Sequence, residues 1–588
     1  MNENMGRMPT MGKKISRNDS IKPPNEMRIP DKITPIVKKL TSRLQKTPIF
    51  LVAISCVFCC LPNPSNAQHY RAAADTFSSN LPIIIIDTEG KIIRDEPRVV
   101  AHMGIVNNGA NIRNSSTDPF TDYDGRINIE IRGNSSQSFP KKAYAFETQD
   151  AMGENNNVEL LGLPEENDWI LYAPYSDKTL MRNVITFELA RRMGRYAPRT
   201  RFCELVINDD YKGVYVLMEK IKRDKNRVDI ANLTENDISG DELTGGYILN
   251  LDWEDERSFA WESEIDGTQF HFHHPQKDDL LPVQREYIEN WMHDFEAALD
   301  SDDYRDPQIG YRRFVNLGSF VDYFIGAEFA RNVDSYRIST YMFKEKDSDG
   351  GLLNMGPQWD FNLAYGNQEE GNFDSPRRWV FSFGLDPINF WWDKFVADTV
   401  FTNAAKSRWA ELRQTILSED AVFSLIDSAA AIVDEAKDRN FERWPILGIY
   451  VWPNAFIGDT YEEEIGFLKG WISERVDWVD EEILKFGAPT GISSTTNDHV
   501  FEAFPNPFRN STTIRYKIPA LATIHLAIYN TLGQEVKSLV SGRQENGEYT
   551  VKWDGRNNQA EQLSSGIYFY RLQFNNQEWG VEKLIILR

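Results

Sequence analysis

The sequence predicts an α+β protein with a β-rich lobe over about residues 80–255, a helical lobe over about 256–486 and a small C-terminal β-sandwich over about 500–588. Apolar residues alternate with a period of two in the first region and recur at helical spacing in the second. The last region returns to β alternation, interrupted by turn residues, and has no convincing helical pattern.

Composition indicates several folded domains and an acidic surface. The chain has 588 residues, of which 41% are hydrophobic and 15 are Trp. At roughly 100–200 residues per domain, this length predicts about three or four domains. The hydrophobic content excludes a disordered chain, and four Cys exclude a disulfide scaffold. The 65 Lys and Arg against 88 Asp and Glu argue against nucleic acid as a partner, because an acidic protein repels phosphates.

Residues 1–67 have the features of an export leader. An apolar run over 48–61 is followed by a small-x-small cleavage pattern at 65–67, and four basic residues precede it, Lys38, Lys39, Arg43 and Lys46. A lipoprotein signal ending at Cys56 is the alternative interpretation. The run is too short to span a bilayer comfortably, and no later apolar run exceeds strand length, so we expect no transmembrane segment in the mature chain.

Three segments after the leader predict strands. Residues 81–86 (LPIIII) form an apolar run of strand length, closed by the turn residues 87–90. Residues 126–131 alternate with a period of two, and 143–146 continue that alternation after a loop. The front of the mature protein is therefore expected to be β-rich.

A helix and a hairpin follow. Apolar residues recur near helical spacing over 178–193, and Gly194 is a stop signal. The apolar segments 202–207 and 213–218 flank the turn composition of 208–212, which predicts antiparallel pairing.

Helical patterns dominate after residue 251. They cover about 282–299, 317–331, 393–415, 419–439 and 461–486. Small and polar residues over 487–499 then form an expected linker to the C-terminal domain.

Several common catalytic signatures are missing from the sequence. No Walker A loop, GxSxG or dinucleotide-binding glycine pattern occurs. His271, His273 and His274 suggest a metal site by composition, but an ordinary strand-end surface is the favoured interpretation because no thiolate or HExxH motif accompanies them. Cys203 lies in an apolar strand and is expected to be a buried, inert thiol.

A loop and two aspartates remain as candidates. The Gly/Ser-rich loop from Arg132 to Lys142 joins two predicted strands, and its backbone NH groups, hydroxyls and lysines suit phosphate oxygens. Taken alone, a plain surface hairpin is the favoured alternative. Asp334 follows a predicted helix, while Asp360 stands between Trp359 and Phe361, where a carboxylate needs a cation or donors.

These residues belong to a set of motifs that resembles the CotH-type (spore coat protein H) atypical kinase family over about residues 85–485. The motifs are Arg132–Ser136 (RGNSS) with Lys141 and Lys142, Asp168–Leu171 (DWIL) with Asp177, Arg182 and Asn183, Gly213–Glu219 (GVYVLME), Asn332–Asp334 (NVD) and Trp359–Asn362 (WDFN). The resemblance implies an atypical protein-kinase-like two-lobe domain over 68–490 that binds ATP with Mg or Mn. It also implies phosphorylation of Ser/Thr in secreted or coat proteins.

The resemblance also implies roles for particular residues. Asp334 corresponds to the catalytic aspartate, and the metal-binding positions are Asp360, Asn362 and Ser339. The expected nucleotide-binding residues are Lys142, Lys141, Arg132, Ser135, Ser136 and Glu219. Such roles suit phosphoryl transfer, which depends on positioning and charge neutralisation.

Two positions depart from the family pattern. Ser339 stands where the family has an Asn metal ligand, and Asn362 replaces a second Asp. Both changes weaken a metal site. A noncatalytic surface, adhesion or matrix-binding protein therefore remains the alternative to an active kinase.

The C-terminal region resembles the sorting domain of the type IX (Por) secretion system over about residues 500–588. The matching segments are Phe504–Phe508, Thr512–Tyr516, Tyr529–Val536, Trp553–Gly555, Leu563–Leu572 and Lys583–Arg588. A carbohydrate-binding or Ig-like module is the alternative. The resemblance implies export through the leader, recognition by the type IX machinery and a secreted or cell-surface destination.

Overall fold

The computed structural model describes residues 77–252, 258–382, 388–486, 501–506, 508–509, 511–518, 521–530, 534–574 and 577–586. The expected leader over 1–67 and the expected linker over 487–499 lie outside the described residues. Among the described helices, none is long and apolar enough to cross a membrane.

The first region contains eleven strands and one helix. The strands are β1 (Ser78–Ser79), β2 (Ile83–Asp87), β3 (Val99–Val106), β4 (Asn114–Ser115), β5 (Tyr123–Arg132), β6 (Ala143–Gln149), β7 (Val158–Leu160), β8 (Leu163–Glu166), β9 (Asp168–Tyr172), β10 (Thr200–Ile207) and β11 (Asp210–Glu219). The helix, α1, covers Arg182–Arg192.

Seven of these strands close into a barrel in the order β10-β11-β9-β6-β5-β3-β2. The alternating apolar residues fill its interior, among them Ile127, Ile129, Phe146, Leu171 and Tyr215. The predicted strands and the β10–β11 hairpin are confirmed. The ring closes where β2 and β10 pair in parallel, with Ile84 opposite Leu205.

Helix α1 begins four residues later than predicted because Asp177 forms a buried turn before it. One carboxylate oxygen of Asp177 accepts from the backbone N and the hydroxyl of Thr179, and the other accepts from the backbone N of Arg182. These bonds hold the first turn in place of a simple N-cap.

A second sheet lies within the range expected to be helical. Its strands are β12 (Tyr247–Leu251), β13 (Phe259–Glu262), β14 (Gln269–His274), β15 (Thr340–Lys344) and β16 (Leu353–Met355), in the order β13-β14-β12-β15-β16. Four of them follow residue 256. The longest of those four has six residues, too short for alternation to stand out from the surrounding helical pattern.

Seven helices complete this region: α2 (Pro282–Asp300), α3 (Leu317–Ala330), α4 (Trp391–Ala397), α5 (Thr399–Arg413), α6 (Glu419–Val433), α7 (Ala436–Arg443) and α8 (Tyr461–Glu482). The predicted helix over 393–415 is two helices, since Asp398 is extended and its side chain accepts from Val400 N to cap α5. Aromatic residues of three of these helices pack together, for example Phe324, Trp392 and Phe401. The same core reaches the outer face of the barrel at Ile170 and Val216.

The C-terminal region consists of two antiparallel sheets with one core. Its strands are β17 (Phe501–Phe504), β18 (Thr512–Ile518), β19 (Ala522–Asn530), β20 (Glu535–Gln544), β21 (Gly547–Trp553), β22 (Gly566–Phe574) and β23 (Gln577–Ile586). The sheets have the orders β17-β18-β21 and β20-β19-β22-β23. Tyr516, Leu526, Trp553 and Leu572 are among the buried residues of the shared core. A C-terminal β domain was predicted, and it is present.

Candidate functional site

Asp334 and Asp360 lie on two irregular segments that the β15–β16 hairpin brings together. Helix α3 ends at the left-handed Arg331, and Asp334 lies three residues beyond it. Five non-glycine residues in or beside these segments have a φ between 46° and 75°: Arg331, Tyr336, Ser339, Asp360 and Tyr365. Such conformations are costly for L-residues and cluster at functional sites.

The two carboxyl groups share one partly buried environment. Burial raises the pKa of Asp334 to about 7; the negative charges of Asp360 and Asp252 add to this, and Arg337 opposes it. Burial also raises the pKa of Asp360 to about 6, with Arg132 opposing the shift and Asp252 adding to it. The site therefore gathers three aspartates that repel one another.

Arg132 supplies the cation on the barrel side. It ends β5, its guanidinium carbon lies 5.6 Å from the centre of the Trp359 ring, and its charge acts on Asp360. Burial lowers the pKa of Arg132, while the charges of Asp360 and Asp252 raise it. A guanidinium at this point is suited to hold phosphate oxygens.

Two residues of helix α1 form hydrogen bonds with the backbone of the segment that follows Asp360. Asn183 Oδ1 accepts a hydrogen bond of 2.6 Å from Phe361 N, next to Asp360 in the chain. Arg182 Nε donates to the carbonyl oxygen of Ala364 at 3.1 Å, and its guanidinium forms a buried ion pair of 2.6 Å with Asp177. An amide on α1 thus fixes the backbone beside the aspartate.

The donor set suits a hard divalent cation. Carboxylate and amide oxygens are the ligands that Mg²⁺ and Mn²⁺ prefer. Near Asp360 and Asp252, the Oδ1 atom of Asn332 is buried and lacks a hydrogen-bond partner in the described part of the chain. Within that part, no cluster of three or more His, Cys, Asp or Glu residues is arranged to hold a metal. A cation here would rely on few carboxylates together with neutral oxygens.

The two lysines expected at the nucleotide point elsewhere. Lys141 is buried and donates to Val214 O at 2.6 Å and to Asn440 Oδ1 at 2.9 Å; burial lowers its pKa to about 7. Lys142 donates to carbonyl oxygens of its own loop, at Gln137 and Phe139. Within the described residues, neither is bonded to an aspartate of the site.

The other expected nucleotide-binding residues are not assembled around Asp360. Ser135 and Ser136 begin a short 3₁₀ turn at the tip of the loop, where Ser135 is exposed. Glu219 is buried and paired with Arg199 at 2.7 Å, and it also accepts from Tyr196 Oη. Its contacts are those of a structural ion pair.

Ser339 and Asn362 lie close in sequence to the two aspartates. Ser339 is in the turn that leads into β15, with a φ of 50°. The main-chain oxygen of Asn362 accepts from Asn367 Nδ2 at 2.8 Å. Both side chains are partly buried, and their role as metal ligands stays a prediction.

The sequence assigned no role to three residues that the structure places at the candidate site, Asp252, Asn332 and Asn183. Asp252 directly follows β12, and an acidic residue at the end of an apolar strand was the available signal. The two Asn residues stood inside recognised motifs but carried no assigned role.

A cavity of about 460 Å³ is lined by other residues than the aspartates and Arg132. Its walls include Lys220, Lys222 and Asp168 on one side and His273 and His274 on the other. His273 packs edge-on against Tyr341, with 5.0 Å between ring centres, and Tyr341 in turn lies near Arg132, Asp252 and Asp360. Tyr341 therefore lies between a wall residue of the cavity and the charged groups of the site.

The histidines differ from the strand-end surface expected of them. His271 is fully buried, and burial lowers the pKa of His273 to about 4. His273 Nε2 lies 2.9 Å from Ile221 O, which fixes the neutral ring. Cys203 is buried as predicted, and burial raises the pKa of its thiol to about 12.

Comparison with known families gives two matches. The family model described as CotH kinase protein matches residues 129–479, and the model described as FlgD Ig-like domain matches residues 509–578. No curated protein matches the chain.

Three similar solved structures each match less than a fifth of the chain. Dimeric latent PorU from Porphyromonas gingivalis is 23% identical over 15% of this chain and 9% of its own, with a TM-score of 0.14. FlgD from P. aeruginosa is 18% identical over 13% of this chain and 60% of its own, with a TM-score of 0.12. PorZ from Porphyromonas gingivalis, described as a surface component of the type-IX secretion system, is 20% identical over 17% of this chain and 13% of its own, with a TM-score of 0.12. The chain spans less than two thirds of each, and these low scores support no argument.

Proposed function

The chain belongs to the CotH kinase protein family, and we propose that it is a protein kinase of this family. It transfers the γ-phosphoryl group of ATP to Ser or Thr hydroxyl groups of exported or surface proteins, with Mg or Mn as the metal. The single observation that carries the proposal is the meeting of Asp334, Asp360 and Arg132 in one partly buried site.

Asp334 acts on the acceptor hydroxyl. Its carboxylate accepts the hydroxyl proton as the Ser or Thr oxygen bonds to the γ-phosphorus, the bond from that phosphorus to the bridging oxygen breaks, and ADP leaves. The raised pKa of about 7 keeps Asp334 basic enough to take a proton near neutral pH. Arg337, with its Nη2 3.7 Å from Asp334 Oδ1, holds the carboxylate in place.

Arg132 and the cation held by Asp360 neutralise the negative charge of the phosphates. Arg132 donates to phosphate oxygens from the barrel side, where its position over Trp359 is already fixed. Asp360 and its oxygen neighbours would hold the divalent cation, which supplies charge neutralisation to the phosphates when bound.

In this proposal, the nucleoside binds in the cavity lined by Lys220, Lys222 and His273. Its volume of about 460 Å³ falls within the usual range for ligand pockets. Lys220 and Lys222 line it as members of ion pairs with Asp168, and His273 adds a neutral ring next to Tyr341.

The test is phosphate transfer from γ-labelled ATP by the full chain to proteins secreted by the same cells. We expect Asp334→Asn and Asp360→Asn to lower the transfer rate by at least about a hundredfold. Asp209→Asn, the same change at an exposed hairpin turn, should leave transfer intact. Transfer retained in Asp360→Asn would remove that residue from the mechanism. If ATP fails to raise the melting temperature with Mg²⁺ or Mn²⁺, the noncatalytic surface or adhesion protein becomes the better interpretation.

We also propose that the protein is exported through its leader and recognised by type IX secretion machinery through residues 500–588. The leader pattern at 48–67 and the six C-terminal motifs support this destination. The match of 509–578 to the FlgD Ig-like domain agrees with a separate β domain there.

A further inference from the structure

The side-chain amide of Asn332 bonds to Asp360 through its nitrogen, while its oxygen has no hydrogen bond within the described residues. Asn332 is 1% exposed, and its Nδ2 donates to the main-chain oxygen of Asp360 at 3.2 Å. Its Oδ1 atom is also buried and receives no hydrogen bond from the described part of the chain. Buried carbonyl oxygens are almost always paired, so this atom needs a partner that the described residues do not provide.

The nearby positive side chains are engaged with other groups. Arg132 lies over Trp359 and acts on Asp360, and Arg337 lies beside Asp334. Within the described residues, no side chain is therefore placed to bond Asn332 Oδ1, which leaves a bound group as its partner. It must also tolerate the negative charge of Asp360 and Asp252, which favours a cation over a neutral or anionic group.

We propose that Asn332 Oδ1 is a ligand of a divalent cation held with the carboxylate of Asp360, and that Asp252 supplies the second carboxylate. This donor set replaces the Asn ligand that is missing at Ser339. The inference rests on the proposed function only in taking the aspartate site as the metal site. No role had been assigned to Asn332 or Asp252 by sequence reasoning.

The chemistry suits Mg²⁺ or Mn²⁺. Two carboxylates and one amide oxygen are hard donors, and they leave coordination positions for water and phosphate oxygens. The amide adds an oxygen without a third negative charge, which matters where three aspartates already repel one another.

The test is a titration of the full chain with Mn²⁺, followed by electron paramagnetic resonance, alone and with a nonhydrolysable ATP analogue. Asn332→Ala should weaken Mn²⁺ binding by about tenfold or more. Asn332→Asp keeps an oxygen ligand but loses the NH₂ donor, and it should bind Mn²⁺ at least as tightly as the wild type. Asn454→Ala is the matched control, because Asn454 is also buried with an unpartnered Oδ1 but bonds to Ser176 and Asn367. Its Mn²⁺ affinity should be unchanged.

Two results with a folded Ala variant would overturn the inference. One is an Asn332→Ala variant with wild-type Mn²⁺ affinity; the other is an Asn332→Asp variant as weak as Asn332→Ala, since only the NH₂ donor would then matter. If the Ala variant does not fold, weaker binding by Asn332→Asp than by the wild type decides against it. Normal Mn²⁺ binding with no phosphate transfer would contradict the proposed function alone. Absence of Mn²⁺ binding by the wild type would overturn this inference.

Discussion

The ionised carboxylate of Asp360 lowers the stability of the folded protein, because burial disfavours its charge. Its pKa is raised to about 6 by burial and by Asp252, against about 3.9 in an unfolded chain. The folded state therefore binds a proton more readily than the unfolded state. The resulting stability is present below about pH 4 and is lost as pH rises through about 6. Asp334 contributes in the same direction, up to about pH 7.

Asp360→Asn should therefore stabilise the metal-free protein at alkaline pH. We expect the free energy of unfolding at pH 8 to rise by about 1–2 kcal/mol, after allowance for solvent screening of a partly buried group. At pH 4 the difference should vanish, because the wild-type carboxyl is then protonated. Urea unfolding in EDTA at the two pH values measures this. Equal gains at both, or a gain in the exposed control Asp209→Asn, would contradict it.

The two aspartates could be predicted from the sequence, whereas the lysines could not be placed. Asp334 and Asp360 stand in irregular segments beside aromatic residues. Both features can be read from the neighbouring sequence, and both are present in the folded protein. The direction of Lys141 depends on Asn440, which lies on α7, almost 300 residues later. No local pattern could supply that partner.

Helix α1 positions the backbone beside Asp360 through a hydrogen bond to Phe361, the next residue in the chain. Its Asn183 accepts from Phe361 N and so sets the backbone on which Asp360 stands. Long elements such as β5, β11, α2 and α8 follow the predicted periodicity closely. The short strands β13–β16 and the break at Asp398 were missed, because their lengths and caps depend on tertiary partners.

Asn183→Ala should lower phosphate transfer through displacement of Asp360. The expected loss is roughly tenfold to a hundredfold in rate, since small misplacements of reacting groups are costly. Asn183→Asp keeps the oxygen acceptor and should retain most activity. Initial rates with circular dichroism as a folding check measure this. Wild-type rates in the Ala variant would show that α1 does not set the position of Asp360.

Taken across its entire length, the chain has acidic composition, a leader pattern and a C-terminal β domain. If residues 500–588 are the sorting signal, their deletion should retain the protein in the periplasm of a cell with a type IX system. The expected result is a shift of the protein from the medium or surface to the periplasmic fraction, measured by immunoblot. Deletion of 487–494 within the linker, which spares both domains, is the control. Unchanged surface levels after loss of 500–588 would exclude it as the sorting signal.

The parallel pairing of β2 with β10 determines when the barrel can be completed. Ile84 must find Leu205 across more than a hundred intervening residues, and contacts of such separation form slowly because loop closure is entropically costly. Until β10 is in place, β2 has a neighbour on one side only, and β5 with Arg132 belongs to an open sheet. The site, which has Arg132 of the barrel beside Asp360, is therefore completed late in folding.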